Sequence, residues 1–142
     1  MKWSDLIPDN FNVHDFFDAV VRQDAEKLRT FFEPDALIFW TNTNEQFTVD
    51  EYIRVNCEYP GKWNGHIDEW HIIAGYEKKM VFEAKVWNDV GAASRTVSII
   101  SFGDTENELI QQLVECWGDV SEPPEWRQKM NIGKRYKDYD NN

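Results

Sequence analysis

Lys79-Met80-Val81-Phe82-Glu83-Ala84-Lys85-Val86-Trp87-Asn88 is the stretch whose reading decides the fold. Its even positions are apolar down to Val86, while the odd positions mix Val81, Glu83, Lys85 and Trp87. A period of two puts successive side chains on opposite faces of a strand. The same character runs from Trp63 onward, and strands are predicted over 63–74, 79–88, 94–103 and 108–118. The segments between them are Gly75-Tyr76-Glu77-Lys78, Asn88-Asp89-Val90-Gly91 and Gly103-Asp104-Thr105-Glu106-Asn107. Connections this short join antiparallel neighbours, so the second half of the chain reads as a meander.

Upstream the period changes. Asn12 can cap a helix from Val13 to about Gln23, with Phe16, Phe17, Val20 and Val21 on one face. Asp24 opens a shorter helix with Ala25, Leu28, Phe31 and Phe32 inward, which Pro34-Asp35 is expected to stop. Ala36 to Trp40 reads as a short strand, followed by the turn-rich Thr41-Asn42-Thr43-Asn44. Thr48-Val49-Asp50-Glu51 is a capping box, and its helix should end near Glu58, before Pro60-Gly61. Residues 1–11 form an arm with Trp3 and Phe11 as anchors. Helices first and a meander afterwards give an α+β fold, a curved antiparallel sheet with helices on one face. A curved sheet wrapped around helices leaves a conical gap, a natural place for a ligand.

The length of 142 residues suits one domain, 1–142, with a core over about 12–120 and a C-terminal extension over 121–142. Fifteen Lys plus Arg against 26 Asp plus Glu leave a net charge of −11, which argues against nucleic acid or anionic lipid as the main partner. Seven Trp, five Tyr and nine Phe are many for this length and mark a globular chain, not a disordered acidic one. Two cysteines, no apolar leader and no membrane-length apolar run point to a soluble, cytoplasmic protein. There is no phosphate loop, serine elbow or dinucleotide fingerprint, so chemistry without a cofactor, or plain binding, is what remains.

The order of helix, helix, short strand, helix and four long strands resembles the nuclear transport factor 2-like superfamily, in its SnoaL-like branch. The residues that carry the resemblance are Asn42-Thr43-Asn44-Glu45-Gln46-Phe47, Glu51-Tyr52-Ile53 and Asn56-Cys57-Glu58-Tyr59-Pro60-Gly61. Glu115-Cys116-Trp117-Gly118-Asp119 and Pro124-Glu125-Trp126-Arg127 complete it. The resemblance implies a cone-shaped, cystatin-like fold. It also implies a homodimer through the convex sheet face, for which Val81, Glu83, Lys85 and Trp87 offer a mixed surface. The superfamily includes isomerases, dehydratases, cyclases and epoxide hydrolases beside non-catalytic binders, so activity has to be argued from the site.

Glu115 is the first candidate. On a regular strand it shares a face with Leu109, Gln111, Leu113 and Trp117, and Ile110, Gln112, Val114 and Cys116 share the other. If the odd face looks into the cone, burial raises the pKa of Glu115 and suits it to proton transfer. If the more apolar even face is the core, Glu115 is solvated or at a dimer contact. The resemblance favours the cone. Tyr52 and His71 are candidate proton partners, His71 standing two residues from Glu69 on one strand face. His66 and Asp68 form a similar pair on the opposite face, so at most one pair should see the cavity. An exposed surface pair is the plainer reading of both.

No metal site is expected from His14, His66 and His71, because no zinc-binding spacing exists among them. The expected ligand is a small apolar molecule, bound by Trp40, Trp63 and Trp117 with Asn56 and Ser98 as polar contacts. Most aromatics of this kind are nevertheless core. Cys57 reads as a small buried hydrophobe. Asp119 and Arg127 can pair and pin the C-terminal segment over the cone mouth, or stand as two surface charges worth little. The basic stretch 127–137 reads as a solvated extension or a cover for a partner's acidic surface. Two functions follow: a cofactor-free acid–base enzyme acting on a cyclic ligand, or a dimeric binding or scaffold protein.

Overall fold

A computed structural model describes residues 6–137, so the predicted anchor Trp3 lies outside the described residues. The elements run α1 (Val13–Val21), α2 (Ala25–Arg29), β1 (Phe32–Trp40), β2 (Glu45–Thr48) and α3 (Val49–Cys57). They continue with β3 (Trp63–Ile73), β4 (Lys79–Asn88), β5 (Ala93–Phe102), β6 (Ile110–Asp119) and α4 (Glu125–Gln128). The helices start where side chains satisfy their free amides. Asn12 Oδ1 accepts from the amides of His14 and Asp15, Asp24 accepts from Lys27, and Thr48 and Glu51 close a reciprocal capping box.

The strands form one sheet in the order β2-β1-β6-β5-β4-β3. β1 and β6 run parallel at its centre, and the other neighbours are antiparallel. The concave face carries Met80, Phe82, Ala84 and Val86 of β4 in register with Ile100, Ser98, Thr96 and Ser94 of β5. Against it pack Phe16, Phe17 and Val20 of α1, Leu28 of α2, and Tyr52 and Ile53 of α3, all buried. Edge-to-face rings lock the layers: Phe17 meets Phe82 at 5.7 Å and Phe16 meets Phe31 at 5.4 Å. The α+β cone expected from the sequence is the architecture.

Three irregularities correct the strand reading. Pro34-Asp35 does not stop a helix, since α2 ends at Arg29. The two residues lie inside β1, where the pairing with β6 shifts register between Phe32 and Leu37. A proline, lacking its amide, fits such a break. On β6 the register shifts beside Gln111, so Ile110 is buried on the concave face and the strict odd–even division holds only from Leu113 onward. On β3 a bulge at Asp68 lets Glu69 pair with Glu83 where Ile67 pairs with Ala84. The face of the strand changes there. Glu69, His71, His66 and Asp68 therefore all lie on the convex side, and neither His pair faces the cone.

The convex face is partly covered by the chain itself. Arg95 donates to Asp68 at 2.7 Å and to the Tyr136 hydroxyl at 2.9 Å, and Lys137 lies 3.5 Å from Asp68. The basic segment 127–137 thus reaches its own acidic Asp68, and the surrounding cations hold that carboxyl below its ordinary range despite the opposing effect of burial. Lys85, expected on an open dimer face, is only 2% exposed.

Candidate functional site

Across the concave face, register places Trp40, Glu115, Ser98 and Phe82 side by side on β1, β6, β5 and β4. The next row toward the wide end holds Trp117, Thr96 and Ala84, and the row beyond holds Asp119, Ser94 and Val86. A cavity of about 240 Å³ opens at this wide end. Its sheet wall is Val86, Ser94 and Trp117 to Asp119, and its helix wall is Val20, Val21, Gln23 and Asn56. Trp40, Asn42 and Thr43 close one side, and Tyr59 and Trp63 close the other.

Glu115 lies one row below this cavity, behind Trp40 and Trp117. It is 2% exposed and does not reach the cavity wall. The reading in which the even face of β6 forms the core is therefore overturned at this position. Trp40 Nε1 donates to Glu115 Oε1 at 2.9 Å. The Tyr52 phenol and the Trp117 indole stand beside the same carboxyl, yet Tyr52 Oη and Trp117 Nε1 make no bond of ordinary geometry. Burial pushes the Glu115 carboxyl above its ordinary value of 4.5, and the nearby donors only partly offset it. Burial and the adjacent carboxylate push the Tyr52 hydroxyl well above its ordinary 10, so it stays protonated. A buried carboxyl of raised pKa, ringed by indole and phenol donors, is suited to taking up and releasing a proton.

Of the residues picked out in the sequence, Trp40, Asn56, Trp63, Trp117 and Asp119 line the cavity. Tyr52 and Ser98 are buried beside Glu115, with Ser98 Oγ bonded to Thr96 Oγ1 at 2.9 Å. His71 stands on the far side of the sheet, exposed and 3.3 Å from Glu69, which removes it as the proton partner of Glu115. Asp119 accepts from Ser94 at 3.1 Å, while the Arg127 guanidinium sits over the Trp126 ring. No ion pair joins Asp119 to Arg127. Burial pushes the Cys57 thiol up, as for an inert thiol. Among the described residues no group of His, Cys, Asp and Glu is placed to hold a metal, and no helix is long and apolar enough to cross a membrane.

The sequence reading missed Gln23. It follows the C-cap of α1 in the left-handed conformation, with φ of 56°. Its Nε2 donates to the carbonyls of Asn56 (2.9 Å), in the last turn of α3, and Tyr59 (2.8 Å), just beyond it, and Asn56 Nδ2 returns a bond to Val20 O at 3.0 Å. The ends of α1 and α3 are thus tied together at the cavity wall. A glutamine where helices usually carry Gly or Asn was the one available signal.

No family model and no curated protein matches this sequence. Solved structures do match. A candidate ketosteroid isomerase from Kribbella flavida is similar at 19% identity and a TM-score of 0.64, over 89% of this chain and 88% of the other. An NTF-2-like protein of unknown function from Burkholderia xenovorans is similar at 17% identity and 0.66, over 87% and 91%. A candidate SnoaL-like polyketide cyclase from Shewanella putrefaciens is similar at 18% identity and 0.58, over 74% and 85%. At such identities the likeness concerns the path of the backbone alone. By fold, this chain is a cystatin-like α+β cone, the backbone path it shares with these structures.

Proposed function

We propose that the protein binds a small, largely apolar cyclic molecule in the cavity at the wide end of the cone and moves a proton on it without a cofactor. The observation that carries this reading is the buried Glu115 carboxyl, bonded to a cavity-lining indole, with the Tyr52 phenol and the Trp117 indole beside it. Glu115 takes a proton from one position of the ligand and returns it at another, which is an isomerisation with no atom left over. Tyr52, held neutral, donates to the oxygen on which charge develops. Contact requires the Trp40 or Trp117 ring to turn aside, since these rings stand between Glu115 and the cavity. The ketosteroid isomerase and polyketide cyclase among the structural neighbours fit the same class of chemistry. The free thiols of Cys57 and Cys116 fit a reducing, cytoplasmic setting.

The test is deuterium uptake at the carbon next to the carbonyl in a panel of cyclic ketones, followed by NMR in heavy water. We expect uptake with the wild type and its loss in Glu115→Gln, with binding of the same compounds retained. Uptake by Glu115→Gln at the wild-type rate would sink the acid–base role. A second reading, a dimeric binding or scaffold protein with no turnover, is favoured by the absence of Glu115 from the cavity wall. Binding without uptake in any compound, together with a dimer by native mass spectrometry, supports that reading instead.

A further inference from the structure

We propose that the ligand of this cavity carries a positive charge, an organic ammonium group on a small ring skeleton. The inference rests on the reading of the cavity as a ligand site. It follows from an inventory of what the walls have left to offer.

Away from the rim, the side-chain donors on the walls are engaged or turned away. Both hydrogens of the Gln23 amide go to backbone carbonyls, and so does one from Asn56. Those partners can only accept, so the orientation of both amides is fixed, and the oxygen is the end not so engaged. Trp40 Nε1 is bonded to Glu115 and Trp63 Nε1 to the Pro60 carbonyl at 3.0 Å. Trp117 Nε1 is buried from solvent beside the Glu115 carboxyl. Ser94 gives its hydroxyl hydrogen to Asp119. Asn42 and Thr43 remain, exposed on the turn at the rim, with the exposed Tyr59, whose hydroxyl can accept as well as donate.

What faces the cavity is therefore aromatic carbon and acceptors. Trp40, Tyr59, Trp63 and Trp117 supply four rings, with Tyr59 and Trp63 set edge to face at 5.7 Å. Among the described residues Asp119 is the one charged residue on the wall, and it is an anion. Ring faces attract cations, and several rings around a carboxylate suit an ammonium group better than any neutral or anionic head. The net charge of −11 draws cations toward the protein in the same sense. The volume, below the roughly 300–1,000 Å³ usual for drug-sized ligands, limits the occupant to a small one.

The matched probes are phenyltrimethylammonium and its neutral isostere tert-butylbenzene, titrated against the full chain by saturation-transfer NMR and tryptophan fluorescence. We expect the cation to bind about tenfold more tightly. Asp119→Asn should weaken the cation by about fivefold, less at high salt, and leave the neutral probe unchanged. Equal or tighter binding of tert-butylbenzene overturns the charge inference and leaves the cavity reading standing. Failure of both probes to bind at millimolar concentration overturns the cavity reading itself.

Discussion

The narrow and wide ends of the cone each bury a carboxylate, and the two are treated differently. Glu33, 6% exposed in the irregular part of β1, accepts from the Thr105 hydroxyl and from the Leu109 amide at 3.2 Å. It ties the β5–β6 connection to the start of β1. Glu115, as deeply buried, has one donor of ordinary geometry and two that stand by without a bond. A buried carboxyl whose partners sit in good geometry is fixed in place, whereas one with a single good bond among several nearby donors has more room to rearrange.

The contrast can be broken by removing each part in turn. Glu33→Ala leaves the part-buried Leu109 amide and Thr105 hydroxyl without their acceptor and should cost the most, about 2 kcal/mol by chemical denaturation, with the cavity unaffected. Trp40→Phe removes the one good donor to Glu115 and should cost about 1 kcal/mol. It should also move the Glu115 titration, read by carboxyl carbon NMR, further upward. Glu115→Gln should cost least at neutral pH. Because folding raises the Glu115 pKa above its ordinary 4.5, its stabilising contribution is complete below that value and is lost as pH rises through the raised one. Wild-type stability should therefore fall over that interval, and Glu115→Gln should flatten the fall. A Glu115→Gln variant as damaged as Glu33→Ala would erase the distinction between the two ends.

The same contrast explains what could be read from the sequence. Helix starts were legible because Asn12, Asp24 and Thr48 with Glu51 act through neighbours within three residues. Glu115 was legible because β6 is regular from Leu113 to Trp117, so parity and the family resemblance agreed. The faces of Glu69 and His71 were not, because the bulge at Asp68 carries no glycine or proline to announce it. β2 was missed since only Phe47 of its four residues is buried. Gln23 acts on carbonyls 33 and 36 residues away, and the tail acts through Tyr136 on Arg95, 41 residues back. Contacts of that span leave no local pattern.

The parallel pairing of β1 with β6 sets an order of assembly. Trp40 and Glu115 are 75 residues apart, and β6 is the strand that joins β1 and β2 to the meander. During synthesis the apolar run Ala36 to Trp40 leaves the ribosome long before the strand that will shield its other edge. Only β2 is at hand to cover it on one side. The sheet closes only once β6 emerges, so the nascent chain carries an open strand edge for as long as the intervening residues are being made.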